Sequence, residues 1–485
     1  MDTEFLSRLL FAITAAFHFL FPPVSIGFSV YILAVEFMWV RTRDEKYLRA
    51  AKFFLKLFGL IFAVGVATGI IMVFQFGTNW PVYSNFVGDV FGSPLAIEAI
   101  AAFFLESTFL AIALWGWDRV GPRAHLFSTA MVSLGSHLSA VWILAANSFM
   151  QTPAGFVLAK GSEIMPAGFV PTPAEVAETS AKISDFWAMV FSPSFADRFA
   201  HTVAASWLCG AFLALGVCAY YILRGRNPDI FRPASRIGVY FAALSCLFML
   251  YTGHSSGRGV IRDQPEKIAA FEAHFKTESH APLYLFGWVD EDSRTVWGPS
   301  VSSFFSILAY GRADAEITGL EELPPDNFLL KLHPGSSAEE LAEIRSRYWP
   351  PVNFVFQTFH FMTYLGGAMF ALAGASLLML WRGSFFDMSK PASRWMQRAL
   401  LFSVFLPLAA SMLGWATAEV GRQPWIVWRI LQTRDAVTTA ASAGEVLFSI
   451  ALFTALFTAL SAVFCIVFLG KLRRGPDLPG RSETY

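Results

Sequence analysis

The sequence predicts an all-α polytopic membrane protein, a bundle of about nine transmembrane helices, and three observations carry that reading. Hydrophobic residues make up 55% of the chain and charged ones 15%, with a mean hydropathy of +0.51, the balance of a membrane protein rather than a soluble one. Nine apolar stretches stand out, at 9–38, 52–77, 92–116, 124–146, 197–223, 234–253, 352–381, 396–418 and 444–470, each of a length that crosses about 30 Å of hydrocarbon as a helix. The loops between them alternate in Lys and Arg content.

Segment one is too long for a signal-peptide core and no small-residue cleavage site follows it, so it is expected to be retained. Pro22-Pro23 should kink it in mid-membrane. Arg41, Arg43, Lys46, Arg49 and Lys52 follow segment one, and Arg119 and Arg123 follow segment three. Basic clusters also follow segments five, seven and nine, whereas the turn from Thr78 to Gly92 has no Lys or Arg. The positive-inside rule then puts the N-terminus outside and the C-terminus in the cytoplasm. Two outer connections are long. Residues 147–196 are expected to hold an amphipathic interfacial helix near 173–192, and residues 254–351 form the one sizeable hydrophilic block, a large outer loop between helices 6 and 7. The expected organisation is therefore helices 1–6 over 1–253, the loop over 254–351, helices 7–9 over 352–474 and a cytoplasmic tail over 475–485.

Lys and Arg number 36, matching 36 Asp and Glu, and this balance, with no basic tail, gives no support to nucleic-acid binding, so no nucleic-acid partner is expected. Cys209, Cys218, Cys246 and Cys465 all fall inside predicted spans without CxxC spacing and read as small core hydrophobes. No internal repeat, Walker motif or dinucleotide fingerprint is present.

Segment three is the most informative. It runs SPLAIEAIAAFFLESTFLAIALW and holds Glu98 and Glu106 with no Lys or Arg among them. A charge near a bilayer centre costs about 2.5–3.5 kcal/mol on insertion scales. In a regular helix eight residues set Glu106 about 12 Å further along and about 80° around, so both acids can face one bundle interior. A single such acid can be a packing group kept protonated by a hydrogen bond; a spaced pair favours a function. Orientation also converts position into depth. His18, Glu98, His201, Met362 and Glu419 gather in the outer half, with Met362 about 15 Å down its helix, while Glu106 lies deeper, towards the cytoplasm. A His with a Met from a facing helix is a common axial set for a low-spin haem. A lone transmembrane His is as readily a packing residue, and Met362 alone is core filler far more often than a ligand, so spacing alone supports a membrane redox or proton-handling protein. His125 and His137 read as packing residues, and His274, His280 and His333 as solvated loop residues.

Several separated stretches carry a resemblance: Phe76-Gly77-Thr78-Asn79-Trp80, Leu95 to Glu106, Trp142-Ile143-Leu144 with Asn147, His201-Thr202-Val203, and Gly421-Arg422-Gln423-Pro424-Trp425. Together, in this order, they resemble subunit I of the cytochrome bd quinol oxidases, and the similarity runs from Phe5 to about Arg474. The resemblance implies reduction of O2 to water with electrons from quinol, and three haems in this subunit: a low-spin haem b, a high-spin haem b and a haem d. It implies His201 and Met362 as the low-spin axial pair, His18 on a high-spin haem, Glu98 and Glu419 as ligand or near-ligand carboxylates, and Arg422 beside a haem propionate. Glu106 with Ser139 would belong to a proton route from the cytoplasm, and Lys267 and Glu272 to a quinol site. The implied partners are a membrane subunit II, a small single-helix subunit, ubiquinol or menaquinol, and O2, in a bacterial inner membrane.

Three features depart from the family pattern. The outer loop is short, which resembles the cyanide-insensitive branch, where haem b replaces haem d. His360 stands where Arg is common, a rival ligand two residues before Met362. Gly253-His254-Ser255-Ser256 stands where Gly-Asp is usual. Two other classes are weighed against the oxidase: a proton-coupled transporter using Glu98 and Glu106, against which the lack of inverted repeats speaks, and a haem-bearing quinone-linked reductase that does not react with O2.

Overall fold

The computed structural model describes residues 3–437 and 441–476. Among them eight helices are long and apolar enough to cross a membrane, and a bent pair makes a ninth. Span 1 is Thr3–Thr42, span 2 Glu45–Thr78, span 3 Gly88–Trp115, span 4 Pro122–Gln151, span 5 Phe195–Leu223, span 6 Pro228–Asp263, span 7 Val352–Trp381 and span 9 Ala443–Arg474. Span 8 is Pro391–Phe402 followed by Phe405–Val420, bent by 42°.

Local chemistry explains the ends. Span 1 breaks after Phe19 and restarts at Pro22, because neither Pro22 nor Pro23 can donate a backbone bond and both are welcome in a first helical turn. Asp44 caps span 2 by accepting from the Lys46 amide at 3.1 Å, and Ser442 with Glu445 forms a capping box at the start of span 9. Span 6 begins on Pro228 and continues ten residues past the predicted limit, to Asp263. Its last turns are polar, and a helix that has left the hydrocarbon needs no apolar residues to keep its backbone bonds.

Span 5 is the axis of the bundle, with 83% of its most apolar window buried against 6% for the peripheral span 9. Span 1 crosses it at backbone contact. A Cβ on Gly27 would lie 1.8 Å from the Ser206 carbonyl oxygen, and one on Gly210 would lie 2.1 Å from the Gly27 carbonyl carbon. Only glycine at both positions permits that approach. Around the crossing Phe28, Tyr31, Phe54, Tyr221 and Phe231 form an aromatic core, with Tyr221 and Phe231 stacked 3.9 Å apart.

The connection 147–196 differs from the expected helix. Phe156–Lys160 pairs antiparallel with Thr179–Ile183 and with Glu163–Ile164, and helix there amounts to a 3-10 turn at Val176–Glu178 and a short α-helix at Phe186–Val190. Thr179 and Ala181 are buried while Lys182 is exposed, so a period-2 pattern with β-favouring Thr and Ile finds a partner strand and prevails. Beyond span 6 the hydrophilic block is a folded layer of two-stranded ribbons and short helices, beginning with Pro265–Phe271. His274 is buried there and bonds the Ile317 carbonyl at 3.1 Å, contrary to the solvated reading; packing against Phe305 removes it from water. His333 meets the Tyr348 hydroxyl at 2.8 Å. Three cysteines are buried as expected, but Cys465 is exposed on span 9, whose outer surface the chain itself leaves bare. The tail at 475–485 lies outside the described residues from 477 onwards.

Candidate functional site

The site residues expected from the sequence fall into four polar centres in the bundle and at its loop-side end. The first is a pair of histidines held by one device. His18 Nδ1 lies 2.9 Å from Thr68 Oγ1 on span 2, and Thr68 spends its proton on the Val64 and Gly65 carbonyls, at 2.9 and 3.0 Å. His201 Nδ1 lies 3.4 Å from Thr252 Oγ1 on span 6, and Thr252 back-bonds to Phe248 and Met249. A hydroxyl whose proton is committed can only accept, so each Nδ1 carries hydrogen and each Nε2 presents a bare lone pair. That is the tautomer a metal-binding imidazole needs. Met362 projects from span 7 towards span 8, where a Cβ on Gly414 would come within 2.8 Å of its sulfur. His360 is engaged at both ring nitrogens, with the Phe356 and Tyr284 carbonyls each at 2.9 Å. Neither nitrogen is open, so this arrangement does not present His360 as a ligand.

The second centre is the acidic pair of span 3. Helical winding widens to a π-type turn over Glu98–Phe103, so the straight-helix angle between the two acids does not hold. Such insertions concentrate at functional positions. Both acids nonetheless meet span 4. Ser139 donates to Glu98 at 2.7 Å, while Glu106 is buried beside Ser136. A Cβ on Gly135 would lie 2.5 Å from the Glu106 Cγ, so glycine there makes the room for the acid. Ser139 thus partners Glu98, and the hydroxyl beside Glu106 belongs to Ser136.

The third centre surrounds Glu419 at the end of span 8. Asn147 and Gln151 of span 4 donate to its Oε1 at 3.1 and 3.2 Å, and Arg422 donates to Oε2 at 2.5 Å. Arg198 of span 5 donates to Asn147, and Lys267 donates to Gln151 and, at 2.8 Å, to Gln264. Desolvation holds the Lys267 ammonium well below its ordinary pKa. Arg422 thus meets Glu419 directly, Arg198 and Lys267 reach it through Asn147 and Gln151, and Arg198 Nε and Arg422 Nε and Nη1 are buried without a partner. The following hairpin, Trp425–Val427 with Leu431–Gln432, seals the cluster by bonding Trp428 to the Met150 carbonyl at 2.9 Å.

The fourth centre is Glu272, which is buried with Oε2 unpaired. Burial pushes its carboxyl pKa up to about 8. Lys267, on the short helix Pro265–Phe271 that ends at Glu272, turns instead towards the Glu419 cluster, so the two predicted quinol residues do not share a hydrogen bond. Arg198, Gln151 and Gln264, with Thr68 and Thr252, were not singled out from the sequence. Arg198 could have been found: it is a cation in a span, three residues before His201 and on the same face.

These residues fit haem. The bare Nε2 atoms and the thioether supply axial donors, and surplus buried guanidinium N–H groups are what paired carboxylate side groups require. The fold and its site therefore define a multi-pass membrane protein with buried imidazole, thioether and carboxyl groups beside unsatisfied cations. The sequence matches the family described as cytochrome bd terminal oxidase subunit I over residues 6–476, and the chain belongs to that family. It is 33% identical over 523 residues to cytochrome bd-II ubiquinol oxidase subunit 1 of Escherichia coli, covering 98% of this chain and 97% of the relative. Identity is also 33%, over 479 residues and 98% and 95% of the two chains, to cytochrome bd ubiquinol oxidase subunit 1 of Bacillus subtilis. The bd oxidase structure from Geobacillus thermodenitrificans superposes with a TM-score of 0.83 at 30% identity, over 98% of this chain and 99% of that one.

Proposed function

We propose that this chain is the haem-bearing subunit of a quinol:O2 oxidoreductase, working with a membrane subunit II in a bacterial inner membrane. His201 and Met362 would hold a low-spin haem b. His18, with Glu98 and Glu419 as nearby carboxylates, would serve a high-spin pair of haem b and haem d, or a second haem b in its place. Bound haem supplies one-electron transfer and an iron position open to O2. Arg422 and Arg198 would neutralise propionates. Glu272 would take a proton from quinol at the outer face, with Lys267 orienting or stabilising the developing anion. Glu106 would relay protons from the cytoplasmic side, and Ser139 would hold Glu98 at the end of that route. Quinol protons leave outside and water formation takes protons from inside, so turnover would build a proton-motive force without pumping.

The observation that carries this reading is the matched fixing of His18 and His201, each with Nδ1 tied to a committed threonine hydroxyl and Nε2 free. A reduced-minus-oxidised spectrum of the purified complex tests it. His201→Ala and Met362→Ala should each abolish the low-spin signal, and an unchanged signal in either variant refutes that pair. Oxygen uptake with a short-chain quinol separates the oxidase from a reductase that leaves O2 untouched.

A further inference from the structure

The layer between spans 6 and 7 presents apolar side chains on the face turned away from its own core. In the ribbon of Trp288–Asp290 with Thr295–Trp297, Val289 is buried while the cross-strand pair Trp288 and Trp297 is 64% and 80% exposed. Just before it, Leu285 and Phe286 are exposed as well. The short helix Phe304–Tyr310 is apolar on both faces: Phe305 and Ala309 pack inward, and Phe304, Ile307, Leu308 and Tyr310 lie bare. A strand or helix that met water on its outer face would carry polar residues there, and contiguous apolar patches mark a contact surface.

Hydrogen bonds fix the height of the ribbon against span 7. The Asn353 amide donates to Glu291 at 2.8 Å, Gln357 donates to the Gly287 carbonyl at 2.7 Å, and His360 meets the Tyr284 carbonyl at 2.9 Å. The chain from Glu291 back to Tyr284 therefore descends along the first turns of span 7, by about 10 Å. Span 7 has 30 residues, Val352–Trp381, a length of about 45 Å against about 30 Å of hydrocarbon. Its far end is marked by exposed Trp381 and by Arg382 of the basic loop. The surplus of about ten residues thus stands at the other end, the one that the ribbon lies against. Down that descent the side chains follow the order of a bilayer interface: Glu291 and Asp292 at the tip, the two Trp next, Phe286 and Leu285 lowest. Leu283–Tyr284 pairs with Ser300–Val301, and Phe304–Tyr310 follows directly, so that helix starts from the same depth. We propose that this layer docks on the outer leaflet of the bilayer, with the Trp pair among the lipid headgroups and Phe286 and Phe304–Tyr310 at the top of the acyl chains. The inference rests on the orientation that the basic loops imply and on none of the haem or quinol assignments. The layer that carries Glu272 is thereby fixed against lipid rather than standing free in water.

The test uses the whole purified oxidase in nanodiscs containing a phosphatidylcholine with a diazirine high on one acyl chain, illuminated and read by peptide mass spectrometry. The tryptic peptides 277–294 and 295–312, which hold the ribbon and the helix, should carry lipid adducts at Leu285, Phe286, Trp288, Trp297 or Phe304–Tyr310. The polar helix Ala338–Arg345 of the same layer is the reference for a segment facing water and should carry none. Adducts confined to the spans, with 277–312 no more labelled than 338–345, overturn the proposal. So does a helix 304–310 that lacks lipid adducts yet is shielded from hydroxyl-radical oxidation, the mark of a protein partner on this face. Trp288→Ser, Trp297→Ser and Ile307→Ser, made together, alter no residue assigned to haem or quinol. That variant should keep the haem spectrum and lose most of the adducts on both peptides; undiminished adducts overturn the assignment to these residues. If it fails to assemble, the adduct pattern of the native chain decides alone.

Discussion

Replacing Glu272 by Gln should flatten the pH dependence of quinol oxidation. The carboxyl is 5% exposed, Oε2 has no hydrogen-bond partner, and burial raises its pKa from 4.5 to about 8. A general base must be ionised, and at pH 7 only about one Glu272 in ten is. Raising the pH to 8 brings that to about one in two, so the initial quinol oxidation rate should rise about fivefold, nearly double again by about pH 9 and then level off. The fold feels the same shift. A raised carboxyl pKa means that stability present below pH 4.5 is lost as pH climbs through 8, up to about 5 kcal/mol once the group is fully ionised. Glu272→Gln should therefore remove the fivefold rise, lower the rate at pH 8, and narrow the drop in thermal stability between pH 6 and pH 9. The assay is oxygen uptake with a short-chain quinol over that range, with the haem spectrum as a control. A pH profile unchanged by the substitution refutes the reasoning, and a collapsed haem spectrum makes Glu272 structural.

Thr252→Val keeps the shape of the side chain but removes the acceptor for His201 Nδ1. It should leave the low-spin haem in place and raise its midpoint potential on the order of tens of millivolts, because the imidazole becomes a poorer donor; an unmoved potential in a redox titration counts against the tautomer argument. Arg422→Gln strips a partner from the Glu419 carboxylate and should cost about 3–5 kcal/mol, seen as a lower Tm and weaker haem retention; unchanged values for both would show that the cluster does not depend on Arg422. Gly27→Val would place a Cβ against the Ser206 carbonyl, and assembly of the complex should be lost or its unfolding advanced by about 3 kcal/mol or more. Full assembly at normal Tm would mean that spans 1 and 5 can part without penalty.

The sequence by itself determined the number and order of the spans, because hydrocarbon burial needs about twenty apolar residues wherever the chain crosses. The break at Pro22-Pro23 was equally legible, since that effect is local. The same holds for the segregation of acids, histidines and Met362 into spans, where each polar residue is conspicuous against its apolar neighbours. The sheet at 156–183 and the polar continuation of span 6 were not legible, because strand pairing and helix continuation outside the hydrocarbon depend on partners distant in sequence. Nor could spacing reveal that Ser139 serves Glu98 and Ser136 adjoins Glu106, since a π-type turn over Glu98–Phe103 resets the register between two helices. Only the tertiary structure decided which hydroxyl fixes His18 and His201, and how Arg422 directly and Arg198 and Lys267 through Asn147 and Gln151 come to surround Glu419. Each of those depends on side chains from elements far apart in the chain coming within hydrogen-bond range of one another.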